Sequence, residues 1–215
     1  MPPSSRAPKR LLHAVLGLGV AVTAIACLAA GPAQASTAGD NHSPAVVANA
    51  LAALAAEDAL IADTTADTLT AYVTARDATA DSVAAEMALD PIAVRDAWSR
   101  ADMPHQRAVL AALAELGKQY RYATSDPNVG FDCSGLTAYA WEQAGVSIPH
   151  QSSAQIRAAA PRDASTAMAG DIVQYSGHVM LYLGVDRAIV HAANRRDDVE
   201  LDFVTRRVRF GDPIG

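Results

Sequence analysis

Apolar residues recur at helical spacing through the middle of the chain. Val109, Leu110, Leu113 and Leu116 share one face of a helix expected from Pro104 to Leu116, with Gly117 as its stop. A second helix is expected from Cys133 to Ala144, with Leu136, Tyr139 and Ala140 on its packing face, Asp132 as N-cap and Gly145 as terminator. Ser152 to Ala159 reads as a short third. Upstream, alanine-rich helical patterns run from Pro44 to Ile61, Ala66 to Leu89 and Pro91 to Ala101. Ser43-Pro44 and Asp90-Pro91 supply cap-then-proline starts. Alanine faces bury little area per residue, so these helices need a partner surface.

From Gly170 the period changes to two. Strands are expected over Asp171–Tyr175, His178–Leu183, Ala188–His191, Val199–Phe203 and Arg206–Phe210. Helices followed by an antiparallel sheet give an α+β fold. Gly184-Val185-Asp186-Arg187 forms the turn of the central hairpin. If that turn is symmetric, Leu183 faces Ala188, and His178 and His191 become diagonal neighbours on one face. A one-residue slip would put them on opposite faces.

The N-terminus has a different pattern. Arg6, Lys9 and Arg10 precede an apolar run from Leu11 to Ala30, and Ala33-Gln34-Ala35 offers small residues for cleavage before Ser36. This reads as an export signal over residues 1–35, against a retained membrane anchor or lipid attachment at Cys27. The chain divides further into an Ala-rich helical region, 36–103, and a second domain, 104–215. The helical region is either a spacer or cap, or an element that covers a catalytic cleft. The formal net charge of −6 becomes more negative once the basic signal is removed. Such a chain is a poor nucleic-acid binder, and the helix-turn-helix cadence of Ser82 to Pro91 is discounted for that reason. No stable membrane insertion is expected after cleavage.

Of the two cysteines, Cys27 lies in the signal, which leaves Cys133 as the only thiol of an exported protein. A helix N-terminus favours the thiolate, and a nearby imidazole can take the proton. His178 is the candidate base, and His191 the group that orients it. Each has a bland alternative. Cys133 would serve equally well as a small buried hydrophobe, and either histidine as a structural residue. His42, His105 and His150 show no partner pattern and read as structural or solvent-facing. Two histidines and a cysteine are also a possible zinc set, but no closely spaced ligand pair supports it.

The segment Gly117-Lys118-Gln119-Tyr120 … Phe131-Asp132-Cys133-Ser134-Gly135-Leu136 resembles the nucleophile motif of the NlpC family of bacterial cell-wall cysteine peptidases. Ile148 to Gln155, Ala169 to Gly184 and Val190-His191-Ala192 resemble its later segments, in the same order. The resemblance implies a papain-like α+β domain that hydrolyses peptidoglycan stem peptides, commonly between γ-D-glutamate and the following diamino acid. It implies Cys133 as nucleophile, His178 as base and His191 as orienter, with Tyr120, Asp132 and Ser134 shaping the substrate or oxyanion site. No metal or cofactor is implied, and a secreted monomer at the cell envelope is expected. Two departures stand out. Arg121-Tyr122-Ala123-Thr124 replaces the family's Trp-Gly-Gly stretch, and His150 stands where arginine is common. The alternative is a catalytically silent wall-binding or regulatory module of the same fold.

Overall fold

The longest apolar helix shows why the alanine-rich region holds together. Helix α1, Pro44–Ala62, buries Val46, Ala50, Ala53, Glu57 and Leu60, a single stripe at helical spacing. That stripe lies against α2 (Ala66–Met87) and α4 (Met103–Leu113). By length and mean hydropathy, 1.7, α1 could also cross a membrane, although it carries the buried Glu57. Arg107 on α4 reaches that carboxylate at 3.3 Å and Asp58 at 2.8 Å. Thr65 caps α2 through a reciprocal box with Thr68. Asp90, followed by a proline, caps α3 (Pro91–Arg100). Helix α4 is buried on nearly every side, because α1 covers one flank and the helix Cys133–Gln143 covers the other.

The structure, a computed structural model, describes residues 44–193 and 198–215. The expected export signal, its cleavage site, Cys27 and the Ser43 cap lie outside the described residues. Those described fall in one compact unit, Ser36–Gly215. One apolar core runs from Val46 through Trp98, Leu110 and Trp141 to Val199, so the helical layer and the sheet share their interior.

After α4 come a two-stranded ribbon, β1 (Ser125–Asp126) with β2 (Gly130–Phe131), then α5 (Cys133–Gln143) and α6 (Ser152–Ala158). The remaining strands are β3 (Ala160–Arg162), β4 (Ile172–Tyr175), β5 (His178–Tyr182), β6 (Ala188–Ala192), β7 (Val199–Phe203) and β8 (Arg209–Asp212). They form one antiparallel sheet in the order β3-β8-β4-β5-β6-β7. The architecture is α+β, as the period change from helices to strands predicts.

Three sequence expectations need correction. The last strand begins at Arg209 rather than Arg206 and pairs with β4 and β3. Gly211 sets its place, since a Cβ there would lie 2.8 Å from that of Ala159. The helix expected from Ser152 to Ala159 ends at Ala158, and the chain continues into the edge strand β3, where the missing N–H of Pro161 is tolerated. Helix α4 stops at Leu113, and turns carry the chain to Gly117.

The helical layer grips the central hairpin at one end. The Trp98 indole N–H donates to the Leu183 carbonyl at 2.9 Å. Gly184 lets this approach happen, since a Cβ there would lie 3.0 Å from the side chains of both Ala97 and Ala169. Leu183 is five residues from His178, roughly 17 Å along the strand. The α3 contact is therefore remote from the histidines.

Candidate active site

Asp132 organises the start of α5. Its Oδ1 accepts the Gly135 amide at 2.7 Å and the Ser134 hydroxyl at 3.0 Å. Its Oδ2 accepts the Ala123 amide at 2.7 Å, and its own N–H donates to Thr124 at 3.0 Å. One carboxylate thus caps the helix and ties down the loop before it. Gly135 allows that loop to sit so close, since a Cβ there would lie 2.0 Å from the Thr124 carbonyl oxygen. On the other side Gln155 of α6 donates to the Ser134 carbonyl at 2.9 Å and accepts from Thr137 at 2.7 Å.

Cys133 is the first residue of this fixed turn. It is half-buried and packs against Ile156, Ile172 and Val179. Burial pushes its thiol above the ordinary value of 9.0, and the charge of Asp132 adds to that. Backbone amides of Val179, Ser134 and Cys133 itself act in the other direction, favouring the thiolate. The Val179 amide places the sulfur beside the residue that follows His178.

The hairpin has the register of a symmetric turn. Leu181 pairs with Val190 and Tyr182 with Ile189, and the Leu183 N–H donates to Ala188 at 2.9 Å. His178 and His191 therefore share one face. His178 Nε2 lies 2.7 Å from His191 Nδ1, with the rings edge to face. Both side chains are buried. His191 Nε2 lies 3.5 Å from Glu200 and 3.9 Å from Asp202, both on β7. His178 also contacts the Tyr175 ring, over which the Arg206 guanidinium sits at 4.5 Å. Burial lowers the His178 pKa to about 4, and the neighbouring His191 and Arg206 contribute in the same direction.

The other residues singled out from sequence occupy scaffold positions around this group. Asp132 and Ser134 hydrogen-bond to each other within the α5 cap. Tyr120 is half-buried and bridges Phe131, two residues before Cys133. Two histidines that sequence left without partners have them. His150 Nε2 lies 3.2 Å from Asp132 Oδ1. His105 is wholly buried, with Asp102 at 2.8 Å, Asp171 at 3.3 Å and Asp212 at 3.4 Å. Asp102 is local, the N-cap three residues before His105, but Asp132, Asp171 and Asp212 lie far along the chain from their histidines, and no local spacing announces them. Gln155 and the Arg206–Tyr175 stack were missed for the same reason.

His105, Asp171 and Asp212 are also close enough to hold a metal ion. Their donors are already engaged. His105 Nδ1 faces Asp102, Asp171 accepts the Met168 amide, and Asp212 accepts the Ile214 amide and the Arg162 guanidinium. With a guanidinium and an imidazole inside it, the cluster fits an ion-pair knot better than a cation site.

The NlpC/P60 family model matches residues 117–208, which carry Cys133, His178 and His191. A probable endopeptidase of Corynebacterium glutamicum is 45% identical over 92 residues, covering 41% of this chain and 43% of that protein. A bifunctional muramidase/DL-endopeptidase of Bacillus subtilis is 32% identical over 91 residues, covering 39% of this chain and 28% of that protein. The crystal structure of the P60 domain of a Mycobacterium avium subspecies paratuberculosis antigen is 25% identical with a TM-score of 0.47, covering 52% of this chain and 96% of that one. The chain spans less than half the length of these two curated relatives. Residues 117–208, with the thiol and both histidines among them, belong to the NlpC/P60 family.

Proposed function

We propose that this protein is an exported cysteine endopeptidase that hydrolyses peptidoglycan stem peptides at the bond between γ-D-glutamate and the diamino acid. The observation that carries this reading is the 2.7 Å contact between His178 and His191, on a strand whose next amide faces the Cys133 sulfur. The printed names of the relatives support it, one being a probable endopeptidase and another a DL-endopeptidase.

The roles follow from proton placement. Glu200 and Asp202 favour a proton on His191 Nε2. His191 Nδ1 then accepts from His178 Nε2–H, which leaves the His178 Nδ1 lone pair to take the thiol proton. Burial keeps the pair neutral at rest, so that proton moves as the sulfur attacks the carbonyl carbon. Amide donors at the start of α5 stabilise the oxyanion. His178 then protonates the leaving amine, and the acyl group remains on sulfur as a thioester. Water, deprotonated by His178, hydrolyses the thioester and restores the thiol.

The test is digestion of purified peptidoglycan by protein beginning at Ser36, with fragments identified by mass spectrometry. Release of fragments ending in γ-D-glutamate, lost in Cys133→Ala, is expected. Equal release by both proteins would remove Cys133 as nucleophile. Wall binding without release by either would favour the silent module.

A further inference from the structure

A cleft of about 460 Å³ opens beside the histidine pair, between α6, the β4–β5 turn and the start of β8. Ser176 and Gly177, which line it, lead directly into His178. Its volume suits a small ligand or one or two residues of a peptide. Among the described residues its only charged lining residues are Arg207 and Arg209, in a chain whose net charge is −6. Arg207 lies on the connection from β7 to β8, and Arg209 opens β8.

The two arginines are held differently. Arg209 donates through Nε and Nη2 to a single oxygen of Gln174, at 3.2 and 2.7 Å. Gln174 is 3% exposed, so a buried amide fixes the guanidinium at the cleft wall. Its remaining N–H donors are not used by that contact. Arg207 is exposed and has no hydrogen bond or ion pair among the described residues. Their neighbour Arg206 is engaged over the Tyr175 ring.

We propose that this cleft is a carboxylate-binding subsite for the leaving fragment of the substrate, with Arg207 and Arg209 as its specificity determinants. The side follows from the chemistry. The imidazole that protonates the leaving amine must lie next to the leaving fragment, and the cleft adjoins His178 on the same hairpin. A guanidinium matches a carboxylate by paired hydrogen bonds. In a stem peptide cut after γ-D-glutamate, the leaving diamino acid fragment carries such a carboxylate. The substrate class rests on the peptidase reading above, while the anion preference rests on the cleft.

The experiment compares two stem peptides that differ only in carboxylate or carboxamide on the leaving diamino acid. Binding is measured by calorimetry on the full chain carrying Cys133→Ala, so no turnover is required. The carboxylate peptide should bind about tenfold tighter, and added salt should shrink the difference. Arg207→Gln, at an exposed position, and Arg209→Gln should each reduce the preference, and together abolish it. Equal affinity for the two peptides, binding of neither, or a preference untouched by the double substitution would overturn the subsite. A preference that persists while the unsubstituted protein cleaves neither peptide supports the subsite and overturns the peptidase reading alone.

Discussion

Replacing Trp98 asks whether the helical layer and the sheet fold together. The indole is 2% exposed, and its N–H donates to the Leu183 carbonyl at 2.9 Å. A buried tryptophan removes about 150–250 Å² from water, which at about 25 cal/mol per Å² gives roughly 4–6 kcal/mol as an upper figure. Trp→Ala changes in cores cost about 3–5 kcal/mol, and we expect Trp98→Ala to fall there. Trp98→Phe keeps most of the ring but leaves the Leu183 carbonyl without its indole donor, for about 1–3 kcal/mol. The chain has two tryptophans, so either variant leaves Trp141 of α5 as sole reporter, and it sits outside the alanine-rich helices. Urea unfolding followed by Trp141 fluorescence should shift to lower midpoint with unchanged slope, more for Ala than for Phe. A Trp141 transition that moves by less than about 1 kcal/mol in Trp98→Ala would mean the two layers unfold separately.

Three further outcomes follow from the site and from the His105 knot. Alkylation of Cys133 by iodoacetamide should keep rising through and above neutral pH, because burial holds the thiol above its ordinary value and His178 titrates near about 4; a flat rate from about pH 5 to 8 would indicate a preformed thiolate–imidazolium pair. Substituting His191 by Ala should lower kcat by about a hundredfold or more, with peptide affinity little changed. The acid limb of the rate profile should also move up, since His191 helps hold the His178 pKa down; a profile that stays in place would dismiss that coupling. His105→Gln should cost about 3–5 kcal/mol by leaving buried carboxylates without their imidazole. Burial opposes charging of His105, but the bonds to Asp171 and Asp102 outweigh it and raise its pKa above 6.5. Its stabilising contribution is therefore complete below about that value and lost as pH rises through the folded pKa. Melting temperature measured from neutral to alkaline pH should decline in the parent protein and decline less in the variant.

The helices and the central hairpin were legible because their signals are local. Apolar spacing marked α1 to α6 to within a few residues, Asp132 read directly as a cap, and a symmetric four-residue turn was enough to put His178 and His191 on one face. What escaped needs contacts made across the chain. His105 meets Asp171 and Asp212 from two other elements, so its own surroundings in sequence look like any apolar helix start. The edge strand with Pro161 and the late start of β8 depend on which neighbour the sheet offers, which no period encodes. The Arg207–Arg209 cleft was hidden for a simpler reason. Arg206, Arg207 and Arg209, three arginines in four residues, read from the pattern only as part of a strand, and their roles separate in the fold, where one stacks on Tyr175 and another is gripped by Gln174.

The hairpin is clamped at its Leu183 end by Trp98 and bears its histidines at the other. The connection from β7 to β8 leaves the sheet at the clamped end, where Arg187 bonds to Val204 and Arg206, and crosses to Tyr175 and Gln174 near the histidines; its Val204 and Val208 pack in a small cluster separate from the shared core. Thr205 and Arg207, exposed on this connection, can therefore change without disturbing either cluster, while Trp98 and Leu183 at the clamp cannot. The protein has in effect a fixed frame with a few exchangeable side chains, and divergence in ligand preference should collect at those exposed loop positions.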